Sequence, residues 1–397
     1  MMLANLTVID IATLGAAPQI ATFFGDFGAR VIKVEHPRGD ALRRLVDRTG
    51  VALQWQLTNR NKQCVTLDLT QARGRELLER MLGRSDVLVC ALSRARLARW
   101  ALDPAELRTR HPRLVAVNLT AYGSDGPWGD RPGSGTLAEA MSGLAALTGP
   151  ADRPPTLSPV GLGDTLGALQ GIIAALLGLY ARDARRSDEG GGRGGLFDVA
   201  MYEPLLALVA QRLATTARDG VDPGRHGNRF PTMAPRNVYP TADQGWVALT
   251  AGTDDLVKRL FAAIGRPELI GDPRFRDNRA RVAHVEELDE IIGGWIAART
   301  ADETVRAFNA AGVSLSAVDD LKAVLRNPQF RARGSLIDVD TAGGTITTTA
   351  PLPRSAEEPG EIRFLGRDLG ADNQAVYADW LGLSEAELDA CRAARVI

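Results

Sequence analysis

Short β-rich runs alternate with amphipathic segments through the first 120 residues, and a chain patterned this way has few folds open to it. Residues 6–12 are β-rich, residues 18–27 carry helical periodicity, and residues 29–35 (Ala-Arg-Val-Ile-Lys-Val-Glu) form a second strand, giving a βαβ unit. The pattern recurs: residues 64–69 read as a strand and 70–82 as a helix with Leu77, Leu78, Met81 and Leu82 on its inner face. Residues 86–90 and 114–120 are further strands, with a helical segment at 104–108 between them. Strands alternating with helices imply an α/β fold with a mainly parallel sheet covered on both faces.

The second half has a different texture. A Gly-rich stretch at 188–195 follows the apolar run 166–180, which reads as a buried helix; it marks a loop before the strand-to-helix run 196–210. From His226 onward Pro231, Pro235 and Pro240 precede a strand at 245–250 and helices at 254–264, 285–298 and 301–311. These divide the chain into a large domain at 1–200, a linker at 201–225, a small α+β domain at 226–329, and a return to the large domain at 330–397. Ser384-Glu-Ala-Glu387 is a capping box that opens a last helix.

Charge and cysteine usage exclude several functions. Forty-seven basic residues balance 48 acidic ones, so no net field draws the 397-residue chain to nucleic acid or to an anionic membrane. Cys64, Cys90 and Cys391 are odd in number and lack CxxC spacing, and His36, His111, His226 and His284 never fall at metal-ligand intervals, which argues against disulfides and a zinc site. The N-terminal run has no basic segment leading into an apolar core, and 166–180 is short and Gly-interrupted for a bilayer span. A reducing, cytoplasmic setting is the expectation.

Three local features invite chemistry. Glu35 ends the second strand where a ribose-binding acid would sit, but the preceding loop, Thr13-Leu-Gly-Ala-Ala-Pro18, has one glycine where a dinucleotide fingerprint needs three. Basic residues gather at Arg43, Arg44, Arg48, Arg60 and Lys62 and again at Arg94, Arg96 and Arg99; they read as solvated faces or as partners of an anionic cofactor. Asp164 stands before the long apolar run. There it reads as a helix N-cap, or as a carboxylate held ionised by the helix terminus and available as a nucleophile.

Taken in order, several stretches resemble the family III coenzyme A transferases. They are Gly28-Ala-Arg-Val-Ile-Lys-Val-Glu-His-Pro-Arg-Gly-Asp40, Asn59-Arg-Asn-Lys-Gln-Cys-Val-Thr-Leu-Asp-Leu69, Ala121-Tyr-Gly-Ser-Asp-Gly-Pro127, Glu139-Ala-Met-Ser-Gly-Leu144 and Gly271-Asp-Pro-Arg-Phe275, and the likeness runs to Leu381-Gly-Leu-Ser-Glu-Ala-Glu387. The resemblance implies a Rossmann-like large domain joined to a small one, in an interlocked homodimer. It also implies transfer of CoA from an acyl-CoA to a carboxylic acid, with CoA as substrate and no permanently bound cofactor.

By motif, Asp164 falls on the family's acyl-accepting nucleophile. Arg99 falls on an arginine that contacts the nucleotide of CoA, and Leu14, Leu67, Thr70, Ala91 and Leu92 on positions along its path, partly through the backbone. Cys90-Ala-Leu-Ser-Arg-Ala95 departs from the family's usual Glu-Asn-Phe-x-Pro-Gly, and Gly15 replaces a glutamine that assists formyl-CoA transferases. Ser134 and Gly135 occupy the place where the related 2-methylacyl-CoA racemases carry a histidine and the residue after it, which removes one base of a two-base racemisation. A noncatalytic CoA-binding subunit, with Asp164 only a cap, is the other alternative.

Overall fold

A computed structural model describes residues 1–184, 192–341 and 343–397. The chain divides into two compact units, the first of Met1–Leu144, Leu157–Asp219 and Arg333–Ile397 and the second of Ala145–Thr156 and Gly220–Ala332. The segment Ala145–Thr156 thus belongs to the second unit and the Ala210–Asp219 helix to the first, so the sequence-derived boundaries are displaced at both places.

The first unit is built on a six-stranded sheet of order β3-β2-β1-β4-β5-β6. Its strands are β1 (Thr7–Asp10), β2 (Arg30–Glu35), β3 (Lys62–Thr66), β4 (Val87–Cys90), β5 (Val115–Thr120) and β6 (Leu196–Ala200), and every neighbouring pair is parallel. Both faces are buried, which is why the strands read as continuous apolar runs. Successive side chains point to opposite faces: Ile9, Ile32 and Leu88 join one core with Leu77 and Met81 of the Ala72–Leu82 helix. Val8, Val31 and Val87 join the other with Ile20 and Phe24 of the Pro18–Asp26 helix.

The apolar run after Asp164 forms a helix over Leu162–Ala184, longer at both ends than the periodicity suggests. Its 23 residues are, by length and composition alone, enough to cross a membrane, which the run 166–180 by itself is not. It lies instead on the sheet, with Ala168, Ala174, Ala175 and Leu179 in the second core. Small residues let it approach: a β-carbon at Gly171 would come within 2.3 Å of Ile20 Cδ1, so a larger residue there would have to push the Ile20 side chain aside.

Of the Gly-rich stretch, residues 188–191 lie outside the described residues. Gly194 donates to the Pro112 carbonyl at 2.8 Å, and Gly195 accepts from Ala116 at 2.8 Å, just before β6 begins.

In the second unit β7 (Arg236–Pro240), β8 (Trp246–Thr250) and β9 (Leu315–Ala317) form an antiparallel sheet. The helices Asp254–Ala263, Val285–Ala297 and Ala301–Ala310 bring Leu260, Phe261, Ile292, Ile296 and Phe308 into one core with Val247 and Leu249. The hairpin of β10 (Leu336–Thr341) and β11 (Gly344–Thr349) returns the chain to the first unit, and the expected capping box at Ser384 and Glu387 is present.

Candidate active site

The strand order reverses direction between β1 and β4. The chain leaves β1 toward β2 on one side and β4 toward β5 on the other, so the loops that follow them part and open a crevice at the carboxyl edge of the sheet. A cleft of about 240 Å³ lies there. Its walls are the loop Thr13–Ala17 after β1, Ala91 and Ser93 after β4, Leu119–Gly123 at the end of β5, Trp128, Arg131 and Ser134, and Asp164. Asp164 is the only carboxylate among the lining residues, and no histidine accompanies it.

Asp164 does not cap its helix. It is the third residue of Leu162–Ala184. The terminus is served by other groups: Gly163 N–H donates to Oε1 of the buried Glu139 at 3.5 Å, and Leu162 N–H donates to the Val160 carbonyl at 2.7 Å. The side chain, half-buried, lies against Gly135, where a β-carbon would stand 2.8 Å from Oδ1. Burial pushes its carboxyl above the ordinary value; the Gly135 N–H opposes that, and the nearby Glu139 carboxylate adds to it. The expectation that a helix terminus holds Asp164 ionised therefore meets a stronger contrary effect, desolvation.

Of the positions expected to line the CoA path, Leu14 and Ala91 join Asp164 in the cleft. Leu67 and Leu92 do not; the residues are 1% and 4% exposed in the apolar core, and Leu67 N–H is donated to the Glu35 carbonyl at 2.6 Å, so the expectation that they line the CoA path is not met by open atoms. Thr70 is exposed just past β3, its N–H and hydroxyl both donated to Asp68 at 2.9 and 2.6 Å. Arg99 is exposed at the end of the Arg94–Arg99 helix. All six follow the carboxyl ends of β1, β3 and β4, so they occupy one edge of the sheet.

Asn118 secures part of that edge. Its Oδ1 accepts from Leu92 N–H at 2.9 Å while its Nδ2 donates to the Leu92 carbonyl at 3.0 Å and to Ser124 Oγ at 2.7 Å. Residues 192–195 precede β6 and hence lie at the opposite edge of the sheet from the cleft.

The basic residues divide. Arg43 pairs with Glu35 at 2.7 Å, Arg60 with Asp26 at 2.6 Å and Lys62 with Asp10 at 2.9 Å, so these three are neither solvated faces nor free for a cofactor. Glu35, considered as a ribose ligand, is spent on Arg43. Ser134 accepts from Leu137 N–H and caps the Gly135–Met141 helix.

Two lining residues escaped the sequence reading. Arg131 stacks on Trp128, 4.4 Å from the ring centroid, and is the cation of the cleft. Thr120 lines the cleft, and its buried hydroxyl has no hydrogen-bond partner among the described residues. An arginine three residues beyond a tryptophan carries some signal; a threonine at a strand end carries none. No cluster of three His, Cys, Asp or Glu that could hold a metal occurs among the described residues. A larger cavity of about 680 Å³ beside β4–β6 is lined mostly by apolar side chains such as Leu97, Leu107 and Phe197 and does not include Asp164.

The profile of CoA-transferase family III matches residues 3–373. The chain belongs to that family. The succinyl-CoA–D-citramalate CoA-transferase of Chloroflexus aurantiacus is 36% identical over 100% of this chain and 98% of that one. The β subunit of the succinyl-CoA–L-malate CoA-transferase from the same organism is 35% identical over 100% and 98%. A crystal structure of a CaiB/BaiF family protein from Brucella suis superposes with a TM-score of 0.80 at 28% identity, covering 95% of this chain and 98% of that one. This family III CoA-transferase is an enzyme whose relatives use CoA thioesters and carboxylic acids.

Proposed function

We propose that the enzyme moves CoA from an acyl-CoA donor to a small carboxylic acid through Asp164, with succinyl-CoA as the first donor to test. The observation that carries this reading is the state of Asp164: the sole carboxylate of a cleft at the sheet's switch point, half-buried and relieved of capping by Glu139. Asp164 Oδ attacks the thioester carbonyl, the C–S bond breaks, and CoA leaves as thiolate, giving a mixed anhydride. The thiolate then attacks the aspartyl carbonyl, expels the donor acid and leaves an aspartyl-CoA thioester. The acceptor carboxylate attacks that thioester, releasing the thiolate again, and the thiolate takes the new acyl group and frees Asp164. No oxidant, nucleotide or metal enters the balance.

The raised proton affinity of Asp164 suits this role, because a desolvated carboxylate is the more reactive nucleophile once ionised. Leu14, Thr70, Ala91 and Arg99 hold CoA along the carboxyl edge of the sheet, while Leu67 and Leu92, buried beneath it, shape the floor. Racemisation would need a second base, and the lining offers none beside Asp164. The homodimer is supported by an apolar stripe on the outer side of the Leu162–Ala184 helix, where Leu169, Ile173, Leu177 and Tyr180 are exposed. Three free, buried cysteines fit a reducing cytoplasm.

The test is intact-protein mass spectrometry after incubation with succinyl-CoA and other acyl-CoAs, with hydroxylamine or borohydride trapping and peptide mapping. Modification confined to the peptide bearing Asp164 supports the covalent route. Turnover with no adduct on that peptide sinks it.

A further inference from the structure

Four charged side chains are buried together beneath the Thr13–Ala17 loop. Asp10 closes β1, Lys33 lies on β2 and Lys62 on β3, each 0% exposed, and Asp40 follows β2 at 4%. Lys62 Nζ lies 2.9 Å from Asp10 Oδ2, and Lys33 Nζ lies 3.7 Å from Asp10 and 3.9 Å from Asp40. Two cations face two anions, so the charges balance.

These groups hold the main chain of that loop, and two of them reach beyond it as well, Asp40 Oδ1 accepting from Leu42 N–H at 2.9 Å and Lys62 Nζ donating to Asn59 Oδ1 at 3.2 Å. Asp10 Oδ1 accepts from Ala12 N–H at 3.0 Å, and Lys33 donates to the Ala12 carbonyl. Asp40 Oδ2 accepts from Leu14 N–H at 3.1 Å, and Lys62 donates to the Pro18 carbonyl at 2.7 Å. The chain from β1 to the Pro18–Asp26 helix is thus tied at four backbone atoms to buried charges. Leu14 sits at φ 66°, a conformation a branched side chain adopts at a cost and keeps only where its surroundings impose it. Among the described residues, the N–H groups of Gly15, Ala16 and Ala17 have no hydrogen-bond partner, and these residues line the cleft with Asp164.

Stability alone does not account for this arrangement. Desolvating four charges offsets most of what their pairing returns, and an apolar core of equal volume would hold a sheet as well. An apolar core could not fix the carbonyl of Ala12, the N–H of Leu14 and the carbonyl of Pro18 in place.

We propose that Asp10, Lys33, Asp40 and Lys62 are positioning residues for CoA transfer, which hold the unpaired amides of Gly15–Ala17 against the reacting carbonyl. The inference rests on the reading of Asp164 as nucleophile. It assigns the acyl-oxygen contact, for which Gly15 offers no side chain, to main-chain donors held by a buried ion network.

Lys62 supplies a second handle. Burial brings its ammonium down to about 8, Asp10 opposes the fall and Lys33 adds to it. Cys64 on its own strand also faces it, and Asp26 of the Pro18–Asp26 helix lies within its field but is paired with Arg60. Raising the pH past 8 discharges Lys62 and leaves the network with an excess negative charge.

The experiment compares Asp40→Asn and Asp40→Ala with the wild-type enzyme, using succinyl-CoA and L-malate, with thermal melts and a pH profile from 7 to 9.5. Asp40→Asn keeps an acceptor for Leu14 N–H; Asp40→Ala does not. Asp40→Ala is expected to lower kcat by about 100-fold with the KM for acyl-CoA changed less than about threefold, and Asp40→Asn to recover much of that loss. The wild-type kcat is expected to fall above pH 8 in enzyme that remains folded, and Lys62→Met to lack that limb. If Asp40→Ala does not fold, the Asn variant and the wild-type pH profile carry the test. Wild-type kcat in both Asp40 variants, or losses that follow only the unfolded fraction, overturn the proposal. Adduct formation at Asp164 in the wild type is measured alongside: its absence removes the nucleophile reading, whereas its presence with indifferent Asp40 variants removes only the positioning role.

Discussion

Gly135 lies so close to Asp164 that a β-carbon on it would stand 2.7 Å from the Asp164 nitrogen and 2.8 Å from the carboxylate Oδ1. Gly135 opens the Gly135–Met141 helix and Asp164 lies in the first turn of Leu162–Ala184, and their contact fixes where the carboxylate sits. Gly135→Ala must therefore displace the carboxylate or part the helices. A displacement near 1 Å costs on the order of 100-fold in rate when the group is the nucleophile. Steady-state transfer by Gly135→Ala should fall by about that factor, with a folded far-UV spectrum. Unchanged kcat would mean that the carboxylate's position is not what the reaction needs.

The sign of the Asp164 shift gives a prediction in two parts. Its carboxyl takes up a proton more readily in the fold than in the unfolded chain, so ionisation at neutral pH costs the native state, and that cost is relieved as pH falls through the raised value. Activity runs the other way, because the nucleophile must be ionised. The acid limb of kcat/KM should lie above the ordinary aspartate value of about 4 and move down in Glu139→Gln. Asp164→Asn should abolish transfer and, at pH 7, melt at a higher temperature than the wild type. A lower melting temperature would place Asp164 among the groups that stabilise the fold.

How far the sequence discloses this site depends on the range of the interactions. The sheet strands were legible because burial on both faces makes them apolar runs; Val87-Leu-Val-Cys90 admits little else. The role of Asp164 in its helix was not, because the carboxylate that serves the terminus, Glu139, arrives from another helix and leaves no local pattern. Lys62 failed for the same reason. A lysine beside Arg60 reads as surface charge, and only the parallel register that sets Lys33 between β1 and β3 shows both ammonium groups buried against Asp10. The motif resemblance supplied Asp164 as a candidate; it did not supply Arg131 or Thr120.

Thr120 has a buried hydroxyl with no partner among the described residues, at the end of β5 where it lines the cleft. Leaving a hydroxyl unpaired costs about 1–3 kcal/mol, which a bound oxygen acceptor would recover. Thr120→Val keeps the shape and removes the group. It should leave the melting temperature unchanged or slightly raised while kcat/KM falls about tenfold. Full activity in Thr120→Val would show that no substrate oxygen uses the hydroxyl.

Arg131 is the cation of the cleft, held by stacking on Trp128 and by its own N–H bonded to the Trp128 carbonyl at 2.9 Å. A planar guanidinium held this way presents two parallel donors to a carboxylate, which a lysine cannot do. The acceptor acid needs one carboxylate free to attack Asp164; a second, as in malate, would bind Arg131. Arg131→Gln should then raise the KM for a dicarboxylic acceptor about tenfold, with less effect on a monocarboxylic one, and Arg131→Lys should recover only part of the loss. The exposed setting makes the contact sensitive to salt, so the wild-type KM for the dicarboxylate should rise with ionic strength while that of Arg131→Gln stays flat. Equal losses for mono- and dicarboxylic acceptors would assign Arg131 to CoA instead.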